Sequence, residues 1–224
     1  MYQRWSDLLF LHWRWDADDL QRRLPPGLFI DKHEGEAWLA IVPFFMERIR
    51  PRFLPPVPWL SWFQELNVRT YVHDENGTPG VWFFSLDCNQ PVAVRVARTG
   101  FRIPYFDARM TAQRHARRVQ YRCQRSDRTE LSSFDYTLDS QPRLAEPGSL
   151  DFFLAERYVL FANTHRGLRL GYVQHTPYPL SAARVVQHDQ LPFAWNDFGM
   201  TNRLPDHVIG SAGVDVRIGA LQKP

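Results

Sequence analysis

The longest apolar run in the chain, AWLAIVPFFM (37–46), stops at ten residues and carries Pro43 inside it. A membrane-spanning helix needs about 20 such residues, and an internal proline costs a helix one of its backbone hydrogen bonds. The run therefore reads as a strand. The same limit recurs along the chain: 17 prolines divide it into short segments, most of them strand-like. Many short strands with a few short helices predict an α+β fold, mostly antiparallel β, arranged as a barrel or sandwich. The 224 residues are 44% hydrophobic, enough for a large core, and residues 1–224 read as a single domain.

Local signals place the elements. WDADDLQRRLPP is a short helix: Asp16 caps it, Ala17, Leu20 and Leu24 share a face, and Pro25 and Pro26 stop it. GLFID and EAWLAIVPFFMERI flank KHEG, which predicts a hairpin. RPRFLPPVPW (50–59) is a stiff proline-rich loop, read as a lid or as a dimer contact in a homo-oligomer. Strands 63–72 and 80–88 are joined by HDENGTP, where Asn76-Gly77 signals a type I′ turn. That turn sets Arg69 opposite Phe84 and Tyr71 opposite Trp82. RRVQYRCQR alternates, SSFDYTL is a further strand, and Ser149 caps a short helix in GSLDFFLAERY. Two strands turn at 165–167, and HVIGSAGVDVRIGAL is a late strand.

Several functional classes lose support. The first residues, MYQRWSDLLFLHWR, hold four consecutive apolar residues, too few for a signal-peptide core. With no spanning segment, no membrane association is expected. Cys88 and Cys123 are the only cysteines, which predicts two buried thiols and a cytoplasmic location. The net charge is +3, nearly all of it from arginine, because Lys32 and Lys223 are the only lysines. The arginines at 109–128 alternate as the wet face of a strand and accompany no nucleic-acid motif, so no nucleic acid partner is expected. The eight histidines lack metal-ligand spacing, and neither a metal nor a cofactor is expected. GSAG (210–213) is too short for a phosphate loop and lacks its lysine. Glu156 and Arg157 in AERY read as a structural ion pair or cap.

FQELNVRTYV (63–72) carries the candidate chemistry. Successive strand side chains point to opposite faces. Leu66, Val68, Thr70 and Val72 form one row, and Glu65, Asn67, Arg69 and Tyr71 the other. The second row faces either water or a pocket. In a pocket, Arg69 is suited to hold an anion bidentately. His175, at a strand end beside Pro177, is either a structural histidine or a ligand-binding one.

WSDLLFLHWRW, LPPGLFID, GEAWLAIVPFFMERIRP, FQELNVRTYV, GVWFFSLD, ARTGFRIPYFDARM, FFLAERY and YVQHTPYPL, taken in order, resemble the YqjF-like family of bacterial proteins (domain of unknown function 2071). That family is similar to the acetoacetate decarboxylase-like superfamily. The resemblance runs from residue 5 to about residue 180 and implies a cone-shaped closed β-barrel with an internal cavity. It favours the pocket reading of the polar row. Phe63-Gln64-Glu65 resembles the decarboxylase strand in which a glutamate follows an aromatic, making Glu65 the matching carboxylate. ARTGFRIPY (97–105) resembles the decarboxylase stretch Gly-Arg-Glu, aromatic, Pro-Lys. Arg98, Phe101 and Pro104 keep their types, Thr99 replaces the glutamate, and Tyr105 stands where the Schiff-base lysine belongs. A phenol cannot form an imine, and a guanidinium stays protonated.

Two functions follow as expectations. One is a pocket for a small-molecule ligand, a small oxo- or hydroxy-carboxylic acid. Glu65 and Tyr105 are its catalytic candidates, and Asn67, Arg69, Arg98 and His175 its ligand-binding candidates. Any enzymatic activity would be lyase- or isomerase-like proton chemistry without an imine. The other is a non-catalytic binding or accessory protein whose interior polar network satisfies itself.

Overall fold

The computed structural model describes residues 1–100 and 103–224; the side chains of residues 96, 97, 99 and 100 lie outside that description. Phe101, and the side chain of Thr99, matched above to the decarboxylase stretch, therefore fall outside the described part.

The element order is β1 (Tyr2–Trp15), α1 (Ala17–Arg22), β2 (Leu28–Ile30), β3 (Ala37–Arg50), β4 (Phe63–Asp74), β5 (Pro79–Cys88), α2 (Pro91–Gly100), β6 (Tyr105–His115), β7 (Arg118–Arg125), β8 (Ser132–Leu138), α3 (Leu150–Ala155), β9 (Val159–Thr164), β10 (Gly167–His175), β11 (Leu180–Ser181), β12 (Ala183–Gln187), α4 (Leu191–Ala194) and β13 (His207–Ile218). Strands β4, β5, β9, β10, β13, β1 and β3 pair in that order, and β3 pairs back with β4, closing a ring. An odd-numbered ring cannot alternate direction throughout. The exception is the short parallel contact of β5 with β9. The C-terminal β13 is an integral wall strand between β1 and β10.

A second antiparallel sheet, β6-β7-β8-β12, hangs from the ring through a parallel pairing of Leu86–Cys88 with Tyr105–Asp107. It covers the ring from outside. Leu9, Leu11, Leu39, Ile41, Leu66 and Val68 meet Met110, Tyr121, Cys123, Phe134 and Tyr136 in one core. Leu8, Phe10, Trp38, Val42, Phe44 and Met46 point the other way, into the ring. Strands covered on both faces read as continuous apolar runs, which is why AWLAIVPFFM shows no alternation. Pro43 sits where the β1–β3 pairing is interrupted between Ser6 and Leu11, so its missing N–H costs no ladder bond on that side.

Asp16 and Ser149 cap α1 and α3 as expected, accepting from the backbone N–H groups of Asp19 and Phe152. Cys88 and Cys123 are buried free thiols. GSAG is a place of close chain approach: a Cβ on Gly213 would lie 2.1 Å from the Trp5 carbonyl oxygen. No helix among the described residues is long and apolar enough to cross a membrane.

Two local expectations are corrected. KHEG closes only a bridge between His33 and Glu36, and β2 pairs with β4 rather than β3. The β4–β5 hairpin does not turn on Asn76-Gly77 as a two-residue loop. The Gly77 N–H bonds the Asp74 carbonyl at 3.0 Å, Gly77 alone takes positive φ (76°), and the Asp74 carboxylate accepts from the N–H groups of Asn76 and Thr78. The longer turn moves the register by one, so Arg69 faces Phe83 and Tyr71 faces Val81.

Candidate functional site

The ring encloses a cavity of about 460 Å³. Its wall is mostly apolar, from residues such as Trp5, Phe44, Met46, Phe83 and Leu160. The proline-rich loop supplies Leu54, Pro55, Val57 and Leu60 at the end where β4 begins, while Phe53 and Trp59 of that loop are 85% and 70% exposed. Helix α3 closes the other end, where the Leu154 carbonyl accepts from Arg69 and Phe153 packs against Tyr71.

The polar row of β4 points inward. Phe63, Glu65, Asn67 and Arg69 line the cavity in turn, and Tyr71 continues the row behind Arg69. Tyr105, at the start of β6, reaches Glu65, and its hydroxyl donates to Glu65 Oε2 at 2.9 Å. Burial pushes the Glu65 carboxyl up to about 8, against the Tyr105 hydrogen bond, which lowers it. Glu65 therefore keeps its proton at neutral pH. Burial and the neighbouring Glu65 hold the Tyr105 phenol well above its usual range.

Arg69 is buried without a carboxylate within ion-pairing distance among the described residues. Its Nη2 donates to the Leu154 carbonyl at 3.2 Å and to the Tyr71 hydroxyl at 3.4 Å, and its guanidinium lies 5.3 Å from the Phe10 ring centre. Among the described residues its Nε has no partner, nor does Asn67 Oδ1, nor either polar atom of the Gln3 side chain, which lines the same cavity. Buried polar atoms are nearly always bonded, so this group of open positions in one cavity is chemically informative.

A chain of hydrogen bonds fixes the far side of Arg69. Tyr71 Oη lies 2.9 Å from His12 Nε2, His12 Nδ1 lies 3.1 Å from His207 Nδ1, and His207 Nε2 lies 2.7 Å from Asp151 Oδ1. Asp151 is also paired with Arg143. One tautomer set satisfies all of them: His207 donates from Nε2 to Asp151, His12 donates from Nδ1 to His207, and Tyr71 donates to His12 while accepting from Arg69. Burial lowers the pKa of both histidines, and His207 and Arg69 lower that of His12 further, which keeps the pair neutral. Tyr71→Phe leaves His12 Nε2 and one Arg69 N–H unpaired, and is expected to cost about 2 kcal/mol in a urea unfolding titration.

Of the six residues singled out from sequence, the cavity gathers Glu65, Asn67, Arg69 and Tyr105. Arg98 is not brought there. Its Nε donates to the Tyr105 carbonyl at 2.6 Å, its Nη1 lies 3.6 Å from Asp107, and its side chain is half exposed. His175 also stays outside the cavity, in a separate cleft with Gln174 and Arg48. Its ring packs between Tyr158 and Tyr178, and Nδ1–H donates to the Thr176 carbonyl. Glu156 and Arg157 do not pair with each other: Glu156 accepts from Tyr158 and the Tyr178 N–H, and Arg157 binds Asp31 at 2.6 Å. His12 was legible as a buried position, in phase with Leu8 and Phe10, but its partner His207 stands 195 residues away and left no local signal. Lys32 and Lys223 are both exposed, and neither lines the cavity.

Residues 2–215 match the DUF2071 family, described as an "uncharacterized conserved protein". The chain belongs to the DUF2071 family. It is 39% identical over 186 residues to the uncharacterized protein YqjF of Bacillus subtilis (strain 168), covering 83% of this chain and 76% of that one. This DUF2071 chain is also similar in fold to an acetoacetate decarboxylase from Legionella pneumophila (TM-score 0.61, 11% identity, 99% and 87% of the two chains). The enduracididine biosynthesis enzyme MppR, solved with pyruvate, has a similar fold as well (TM-score 0.59, 16% identity, 97% and 89%). Identities this low establish the fold alone.

Proposed function

We propose that the DUF2071 chain binds a small oxo- or hydroxy-carboxylic acid in the ring cavity, with Arg69 holding the carboxylate. One observation carries this reading. A buried guanidinium without an acidic partner among the described residues lines a cavity and keeps Nε open, and the open Asn67 Oδ1 belongs to the same lining. An uncompensated buried charge is costly, and a carboxylate ligand would offset that cost with charge-assisted hydrogen bonds. A self-satisfied interior network is disfavoured by the same open atoms. The relay from Tyr71 to Asp151 is satisfied, but it lies behind Arg69 and leaves the cavity face unpaired.

If chemistry follows binding, Glu65 and Tyr105 carry it. A carboxyl titrating near 8 is poised to give and take a proton around neutrality. Tyr105 orients that carboxyl and stands in place of the lysine of the decarboxylases. With both lysines on the surface, a lysine imine has no source inside the cavity, so the reaction is proton transfer next to a carbonyl or hydroxyl. MppR, solved with pyruvate, supports a carboxylate-binding role for this fold.

A thermal-shift panel of oxo-, hydroxy- and aromatic carboxylic acids, each paired with its neutral amide, tests the reading. An acid at ~100 times its dissociation constant adds about 2.7 kcal/mol, a rise of roughly 5–10 °C for a chain this size. The acids are expected to shift the transition and their amides not. Equal shifts from acid and amide, or none from any acid, would count against an anion site.

A further inference from the structure

The polar groups of the cavity are not clustered at one point. Glu65 and Arg69 are four residues apart on β4 and both face inward, which places their Cα atoms roughly 13 Å apart along the strand. Their side chains do not bend toward each other. Arg69 is drawn to α3 and Tyr71, at the closed end. Glu65 is held by Tyr105 at the end near the proline-rich loop. Val42, Phe44 and Phe83 line the wall along this stretch. A three-carbon oxo acid anchored at Arg69 would leave Glu65 out of reach and most of the cavity unfilled. The 460 Å³ correspond to about fifteen water-sized groups.

Resting on the carboxylate reading above, we infer that the ligand is an elongated acid, with its carboxylate at Arg69 and a second oxygen function, a carbonyl or hydroxyl, at the Glu65–Tyr105 pair. An apolar chain of several methylene groups joins the two. An extended chain advances about 1.2 Å per bond, so oxygen functions roughly six to eight bonds apart span the gap once a hydrogen bond of about 2.9 Å at each end is counted. Asn67 lies midway and offers an acceptor to a hydroxyl or amide on the chain. The reacting carbon is then remote from the carboxylate, and the protonated Glu65 donates to the remote oxygen.

Two isomeric acids separate this from a small-acid site: 7-oxooctanoate, with the ketone far from the carboxylate, and 2-oxooctanoate, with it adjacent. They match in size, charge and apolar surface. Calorimetric titration of the wild-type protein is expected to give at least about tenfold tighter binding of 7-oxooctanoate, the worth of one charge-assisted or buried hydrogen bond. Pyruvate should bind more weakly than either. The double variant Glu65→Leu/Tyr105→Phe, which removes both polar groups of that end, should bring the two isomers to equal affinity. Equal affinities in the wild type, with binding still dependent on Arg69, overturn the elongated-ligand inference and leave the anion site standing. No binding of any of these acids overturns both.

Discussion

Asp87→Ala is expected to lower the unfolding free energy by about 3–5 kcal/mol, among the largest losses available to a single side chain in this chain. Asp87 and Arg125 are both buried between the ring and the outer sheet, in a two-pronged pair at 2.6 and 3.0 Å. Arg125 also donates to the Trp195 carbonyl and lies 4.0 Å from the centre of the Phe106 ring. Removing the carboxylate leaves a guanidinium in the core with one carbonyl and two aromatic faces for company. Burial raises the Asp87 pKa more than Arg125 lowers it, and a buried ion pair is by itself weak evidence for stability. Its contribution is to fix how β5 and β7 meet. The double variant Asp87→Leu/Arg125→Met should therefore recover most of the loss, because removing both partners together leaves no orphaned charge. Urea titrations of the two single variants and the double variant measure this. Additive losses would contradict it.

Glu65→Gln is expected to change how stability depends on pH. The folded pKa of Glu65, about 8, is raised above its ordinary 4.5. Between those values the unfolded chain has released the proton and the folded chain retains it, so the contribution present at low pH is lost as pH rises through the folded value. The wild type should lose on the order of 4 kcal/mol across this window from Glu65 alone. Glutamine has no proton to lose. The variant should gain on the wild type by that amount between about pH 5 and pH 9. His12 and His207, with lowered pKa values, act in the opposite direction. They cost stability as pH falls below about 6.5, equally in both proteins, and cancel in the comparison. A difference that stays flat with pH would place Glu65 in contact with water.

The inward polar row was legible because one face of β4 packs into the apolar core with Leu66, Val68 and Val72 while the other lines the cavity with Glu65, Asn67 and Arg69, so the strand alternates. Its partners on β5 were not. The hairpin turns on Asp74–Gly77 with one residue more than the type I′ reading allows, and β5 then bulges at Phe84, which is left out between the pairs Arg69–Phe83 and Val68–Ser85. Below the bulge the register returns, and Asn67 meets Leu86. Arg98 was misplaced for a different reason. Its position followed from a matched stretch of sequence, and such a match cannot say which way a side chain leaves the end of α2. The histidine relay was out of reach because it joins β1, β4, β13 and α3 across nearly the whole chain. Within the arginine-rich segment 109–128, Arg114 pairs with Asp7 and Glu47, Arg118 with Asp135, and Arg125 with Asp87.

The central claim is that Arg69 anchors an anionic ligand in the ring. Calorimetric titration of the tightest-binding acid from the panel into the wild type and Arg69→Met tests it most directly. Methionine fills the same space without charge, so the unliganded variant should melt within a few degrees of the wild type. Its affinity for the acid should fall by at least about 30-fold, the lower range for losing one partner of a buried charged pair. Unchanged affinity in a variant of unchanged stability would contradict the claim and place the ligand elsewhere.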